Sequence, residues 1–369
     1  MQGAQTLSHL PPFWRWYHTY RANFAPPLFA IALTSQLLVR DFYSPWVYMG
    51  WGALGLGFIT SGTAQKLTGW VAIGTIVLVG SLFLSGIFNL LWGSGNWPLS
   101  LGTAFWGGPL ALFALIKQGE RIFPWLLPTL AIHAFLTILN FPNPYTPPPD
   151  GTILPSPGNA GLTPNPNVGA GVLVLGIVYF LSLHSRYHWV KWVFIIFLFT
   201  ALLFTHSRWG LVVAVALILF HGRSLPWKLL IPLLPVFIVL LIRTLMELTS
   251  TNGIITEVEQ RLTGIPSTWW LPQGVIETPR LHNVLLRLSM ELGIPGAIAW
   301  VGLTGSALSR QGPHGVKWCL LAMTLLGMLD YYIWEGHMVG LWWICLGTLL
   351  GPSTAPRGIT SSHRVLSTT

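Results

Sequence analysis

The stretch NVGAGVLVLGIVYFLSLHSRYHWVKWVFIIFLFTALLFT, residues 167–205, decides what kind of protein this is. Two apolar runs, 167–184 and 189–205, meet at a basic junction that carries Arg186 and Lys191. Each run is close to the length of a helix that crosses a bilayer. Composition makes the same choice of solvent for the rest of the chain. With 52% hydrophobic and 8% charged residues, 20 Trp and a mean hydropathy of +0.61, most of the 369 residues cannot face water.

Working outward from this pair, a span-sized window predicts about 12 transmembrane helices. They fall at 26–39, 45–61, 70–92, 99–116, 122–141, 167–184, 189–205, 209–221, 229–247, 282–306, 316–334 and 338–351. The expected fold is an all-α, polytopic membrane bundle over 26–351. Residues 1–25, with Trp14, Arg15, Trp16, Tyr17, His18, Tyr20 and Arg21, suit the headgroup level on the cytoplasmic side. No removable signal is expected there, because no basic start, apolar run and small-residue cleavage site follow in order. Residues 352–369 form a cytoplasmic tail.

Charge orients the bundle. With the N-terminus inside, every lysine (Lys66, Lys117, Lys191, Lys228 and Lys317) falls on the cytoplasmic side, and Glu120 is the one acid among the inner segments. The outer and intramembrane remainder holds Arg40, Arg208, Arg243, Arg261, Arg280 and Arg287, with no lysine. This is the positive-inside pattern. It also accounts for the formal net charge of +9 without nucleic acid, since the basic residues are spread singly through short loops rather than gathered in a patch. Cys319 and Cys345 both lie in apolar segments without metal or disulfide spacing and are expected to be core thiols.

Two outer loops remain, at 142–166 and 248–281. The first belongs to FPNPYTPPPDGTILPSPGNAGLTPNPN (141–167), whose nine prolines favour stiff, extended backbone. It is either a rigid connector or a lid beside a site. The second runs through STNGIITEVEQRLTGIPSTWWLPQGVIETPRL (250–281) into HNVLLRLSMELGIPG (282–296), gathering Arg261, Arg280 and His282 at the mouth of the tenth span.

Arginine rather than lysine suggests phosphate, because the planar guanidinium matches two phosphate oxygens at once. Arg208, Arg261 and Arg280 are therefore the expected ligands of a pyrophosphate. At the start of a helix the positive dipole end disfavours imidazolium, so His282 is expected to be neutral and able to take a proton; a capping role is the plainer alternative. Glu257 precedes Arg261 by four residues and offers it a helical partner. Arg243 and Glu247 share that spacing, which favours a structural pair. Arg287 and Glu291 also share it. With Asn283 they form a polar stripe about 140° from His282 on an ideal helix, where mutual neutralisation is the expected role and support of the site the alternative.

His282-Asn283, Leu286 and Glu291-Leu292-Gly293-Ile294-Pro295-Gly296 together resemble a signature of the bacterial O-antigen ligase and polymerase family of polytopic glycosyltransferases. Thr205-His206-Ser207-Arg208-Trp209-Gly210 resembles that family's T-x-S-R-G span end. Pro164-Asn165-Pro166-Asn167-Val168 resembles its N-P-N span start, and Arg261-Leu262 the arginine that opens its large outer loop. The resemblance covers about 150–350, four motifs in order on the expected side.

The resemblance implies an inverting, metal-independent transferase without a cofactor, in a bacterial inner membrane with its site facing the periplasm. Its donor would be a glycan on undecaprenyl diphosphate and its acceptor a hydroxyl. Arg208 and Arg261 would hold the pyrophosphate, and His282 would take the acceptor's proton. Two departures concern the acceptor side: Trp209 separates Arg208 from Gly210, and the segment between Arg261 and His282 is shorter than is usual in the family. A lipid A core acceptor, making an O-antigen ligase, is preferred; a growing glycan would make a polymerase and a protein hydroxyl an oligosaccharyltransferase. From a different class, a transporter or lipid flippase would use Arg287, Glu291 and Asp330 to line a path. Clustering of charge near the outer face rather than the midplane favours surface chemistry.

Overall fold

The computed structural model describes residue 11 and residues 23–35, 45–61, 69–91, 121–139, 159–163, 166–183, 188–221, 284–329 and 336–350. Among these residues every regular element is helical and no strand occurs, in agreement with the all-α expectation. In chain order the helices are α1 (23–35), α2 (Pro45–Ser61), α3 (Gly69–Leu91), α4 (Phe123–Ile138), α5 (Pro166–Ser182) and α6 (His188–Phe204). There follow α7 (Arg208–His221), α8 (Val284–Glu291), α9 (Gly293–Ser309), α10 (His314–Leu329) and α11 (Gly336–Leu350). The first is already helical at residue 23, so the expected N-terminal segment ends before residue 25.

The expected number of spans is not established. Those at 99–116 and 229–247 lie outside the described residues. Among the described helices, Gly69–Ile87, with 19 residues, is the one both long and apolar enough to cross a membrane. The other strongly apolar helices are shorter. At ~1.5 Å per residue the 17 residues of α5 span about 25 Å, against ~30 Å of bilayer hydrocarbon.

Pro166 opens α5 at a position where a missing N–H leaves no bond unmade, and its fixed φ already suits a helix. From there α5 is buried along almost its whole length, with Val168, Leu173, Val174 and Ile177 fully so. It packs against α4, α6, α7 and α10. A second group, α3, α8 and α11, packs against α9, and α10 joins the two groups.

Individual contacts set the directions. Phe123 of α4 stacks on Tyr179 of α5 at 5.2 Å, while His133 reaches Gly169, so α4 and α5 are antiparallel. Ala170 meets Gly210, so α7 runs parallel to α5. Gly171 lies against Met338 and Leu326 and Gly315 against Ser182, which places the start of α11 and the end of α10 beside the start of α5. Trp300 stacks on Trp342 at 5.8 Å and Arg310 Nη1 donates to Leu350 O at 2.8 Å, so α9 parallels α11. The bundle therefore has an upper end, where α5, α7, α9 and α11 begin, and a lower end, where they finish.

The described charges separate between these ends. Arg121, Lys191, Arg310 and Lys317 lie at the lower end, and Arg208, Arg287 and Glu291 at the upper. Residues assigned by sequence to the cytoplasmic and the outer side thus fall at opposite ends of one bundle.

The tenth span differs from expectation. Instead of one helix over 282–306 there are two, broken at Leu292 and Gly293, where Gly293 adopts φ 72°. Pro295 supplies the reason. In a continuous helix its ring would meet the carbonyl of Glu291 and leave that carbonyl without a donor. After the break Pro295 falls in the first turn of α9, where no N–H is required. A side chain at φ 72° costs roughly 1–3 kcal/mol. Gly293→Ala should lower the thermal midpoint of the purified protein. Gly302→Ala, in the middle of α9 with open space around its Cβ position, should be neutral or slightly stabilising. Equal midpoints for the two variants would show that the break does not depend on the left-handed backbone at Gly293.

Candidate functional site

The upper end is organised by the turn between α6 and α7. Thr205 Oγ1 donates to Leu202 O at 2.7 Å and accepts from Ser207 N–H at 3.2 Å. Ser207 Oγ accepts from Gly210 N–H at 3.3 Å, the bond of an N-cap serine. Both hydroxyl side chains are buried by the work of closing the turn. The intervening His206 and Arg208 are exposed. His206 takes φ 53°, a left-handed conformation usual for glycine at a helix end and uncommon for other residues. The segment Thr205-His206-Ser207-Arg208 thus alternates two side chains that hold the backbone with two that are presented outward.

Arg208 is the first residue of α7, which has no acidic residue in its first turn. The adjoining Trp209 is 39% exposed, so the residue that interrupts the family-like motif is accommodated outward. Gly210 points inward: a Cβ there would lie 2.9 Å from Ala170 Cβ. The motif at 205–210 and the start of α5 at 166–170 are therefore packed together, as are the chain segments around them. Asn159 N–H donates to Phe204 O at 3.0 Å, and Asn159 Nδ2 donates to Thr137 O at 2.8 Å. The end of the proline-rich loop is docked on α4 and on the turn that carries Arg208.

Arg287 and Glu291 form the ion pair their spacing allows, Nε to Oε1 at 2.7 Å, with side chains 15% and 2% exposed. The pair occupies α8, one residue before the break at Leu292, at the same end of the bundle as Arg208. Of the other residues singled out in the sequence, Arg261, Arg280, His282 and Asn283 lie outside the described residues, as do Arg243, Glu247, Glu257 and Asp330. His282 and Asn283 immediately precede Val284, where α8 begins.

Both cysteines are buried, and Cys319 Sγ donates to Leu175 O at 3.7 Å. With Phe123, Leu130, Tyr179 and Leu341 they line an apolar cleft between α1, α4, α5, α10 and α11. The cleft is lined mostly by apolar side chains, and the hydroxyl of its Thr129 is bonded to that of Thr34 at 2.8 Å. Sequence reasoning assigned no role to His133 or His206. Neither has a spacing signature: one lies in an apolar helix, the other at the variable position of a motif. Compared with known proteins, the chain matches no family model and no curated protein.

Charge neutralisation within α8 has a measurable consequence. Removing either partner leaves the other charge largely buried, at a cost of about 3–5 kcal/mol, whereas replacing both with apolar residues of similar volume is close to neutral. Arg287→Met and Glu291→Leu should each reduce the yield of folded protein, and the double variant should restore it. Normal yield from both single variants would show that the fold does not depend on this neutralisation.

Proposed function

We propose that the chain is a polytopic membrane glycosyltransferase. It moves a glycan from a lipid pyrophosphate to an acceptor hydroxyl at the upper end of the bundle, which faces the outer side of a bacterial inner membrane. The observation that carries this reading is the position of Arg208. A cation at a helix N-terminus opposes the helix dipole, while an anion there is attracted both by the free N–H groups and by the guanidinium. At the lower end, Lys191 and Arg310 bond helix-terminal carbonyls: Lys191 Nζ donates to Leu181 O at 2.6 Å and to Leu183 O at 3.0 Å, and Arg310 caps Leu350 O. Those two cations satisfy terminal carbonyls, whereas at the start of α7 the free N–H groups and the Arg208 guanidinium together favour an anion.

Membrane residence is supported by outward-facing apolar side chains. Trp70 is 85% exposed, Phe220 79%, Ile76 69% and Trp189 69%, surfaces that suit lipid better than water.

In the proposed reaction the acceptor oxygen attacks the anomeric carbon and its proton passes to His282. The bond from carbon to the pyrophosphate oxygen breaks, and the bonding electrons leave with the pyrophosphate. Arg208, Arg261 and Arg280 hold that group and stabilise its charge, as fixed donors do for a developing anion. In-line attack inverts the anomeric centre. A lipid A core acceptor, the O-antigen ligase reaction, is the preferred form.

Protein reconstituted with an undecaprenyl-diphosphate glycan and a lipid A core acceptor should form the glycosidic product, whose linkage names the acceptor; consumption of neither substrate would remove the transferase reading. His282→Ala should lower turnover by about 10²–10⁴ while the protein still elutes as a folded species. Wild-type turnover in that variant would exclude His282 as the base.

Arg208→Lys preserves charge but loses the two-pronged contact. It should sharply reduce donor use, as should Arg261→Lys, whereas Arg243→Lys should have little effect. Full activity in both Arg208→Lys and Arg261→Lys would mean that neither guanidinium grips phosphate in this way.

A further inference from the structure

We infer that His133 is a positioning residue for Arg208, acting through two separate connections. His133 lies in α4 and is fully buried. Its Nδ1 is 3.0 Å from the backbone N–H of Leu162, which can only donate, so Nδ1 is an acceptor and carries no proton. The ring's proton is therefore on Nε2, which donates to Gly169 O at 3.1 Å. One neutral imidazole thus joins the end of the proline-rich loop to the start of α5, with both ring nitrogens engaged.

Each bond continues to the turn at 205–208. On the loop side, the segment held at Leu162 includes Asn159, whose N–H donates to Phe204 O. On the helix side, Gly169 precedes Ala170, whose Cβ is the nearest neighbour of the Gly210 Cβ position. The residues on either side of Thr205-His206-Ser207-Arg208 are consequently positioned by elements that His133 ties together.

The fit is close on every side. Thr137 Oγ1 donates to His133 O at 2.8 Å, and Thr163 Oγ1 to Ala160 O at 2.7 Å. Gly161, at φ 57°, passes so near the ring that a Cβ would lie 2.7 Å from His133 Nδ1. A Cβ on Gly169 would lie 3.0 Å from His133 Cε1. Two glycines thus pack directly against the ring, so a change at His133 should be transmitted rather than absorbed. The role deepens the proposed donor site and rests on that reading for its kinetic consequence, but not for its structural one.

The test uses full-length protein in detergent, hydrogen exchange over 159–163 and 204–210, and donor kinetics with an undecaprenyl-diphosphate glycan. His133→Phe keeps the ring and removes both bonds. His133→Asn retains an acceptor near the Nδ1 position, and His133→Gln a donor near that of Nε2. With His133→Phe, exchange should rise about tenfold in both segments but not in α9 or α10, and donor KM should rise about tenfold with a smaller change in kcat.

His133→Asn should preserve protection at 159–163 better than His133→Gln does. The two single-bond variants decide the matter if His133→Phe does not fold. Unchanged exchange at 204–210 in the folded variants would overturn the proposal, leaving His133 as an anchor for the loop alone. Loosening of both segments in a protein that transfers no glycan supports the two connections, and it is then the transferase reading that fails.

Discussion

The bundle depends on α5 having no solvent face. A helix buried on all sides leaves its neighbours no freedom to slide away, so α4, α6, α7 and α10 are arranged by the places where α5 begins and ends. Because α4 and α10 run against it and α7 runs with it, the end of α4, the end of α6 and the beginning of α7 converge at the start of α5. The turn bearing Arg208 and the docked loop at 159–163 are where they are because of that convergence. The buried imidazole of His133 lies within it, bonded at one nitrogen to the docked loop and at the other to the start of α5.

Polar groups at the two ends are used differently. At the lower end, Lys191 and Arg310 bond the terminal carbonyls of α5 and α11, satisfying acceptors that would otherwise lack donors. Their positive charges also oppose the negative ends of the helix dipoles. Helix stability alone rewards such residues. At the upper end, Arg208 lies at a positive dipole end and Glu291 is carried inward, neutralised by Arg287. Both arginines and the buried carboxylate thus lie at the end of the bundle where α5, α7, α9 and α11 begin.

Much of the architecture is legible from one-dimensional rules. Apolar runs near span length locate nine of the described helices to within a few residues, because every backbone polar group in such a run must be satisfied locally and a helix does so. The division of basic residues between two sides also appears in the folded bundle. Less legible is the tenth span. Its hydropathy is continuous across Leu292, and the break depends on Pro295 meeting a glycine able to adopt φ 72°, a local steric event that a hydropathy window averages away.

The candidate site divides along the same line. The sequence by itself determined the helical class, the division of the described cations into two groups that lie at opposite ends of the bundle, and the pairing of Arg287 with Glu291, since these follow from composition, from the order of the apolar runs and from spacings within one helix. Tertiary structure alone decided that Arg208 begins a helix beside the docked end of the proline-rich loop, that His206 adopts a left-handed turn, and that His133 binds the loop and α5 together. Those facts join residues as far apart as 133, 162, 169 and 204. Hydrogen bonds between separate segments carry no periodicity, so nothing in the order of residues announces them until packing around α5 brings the segments within about 3 Å.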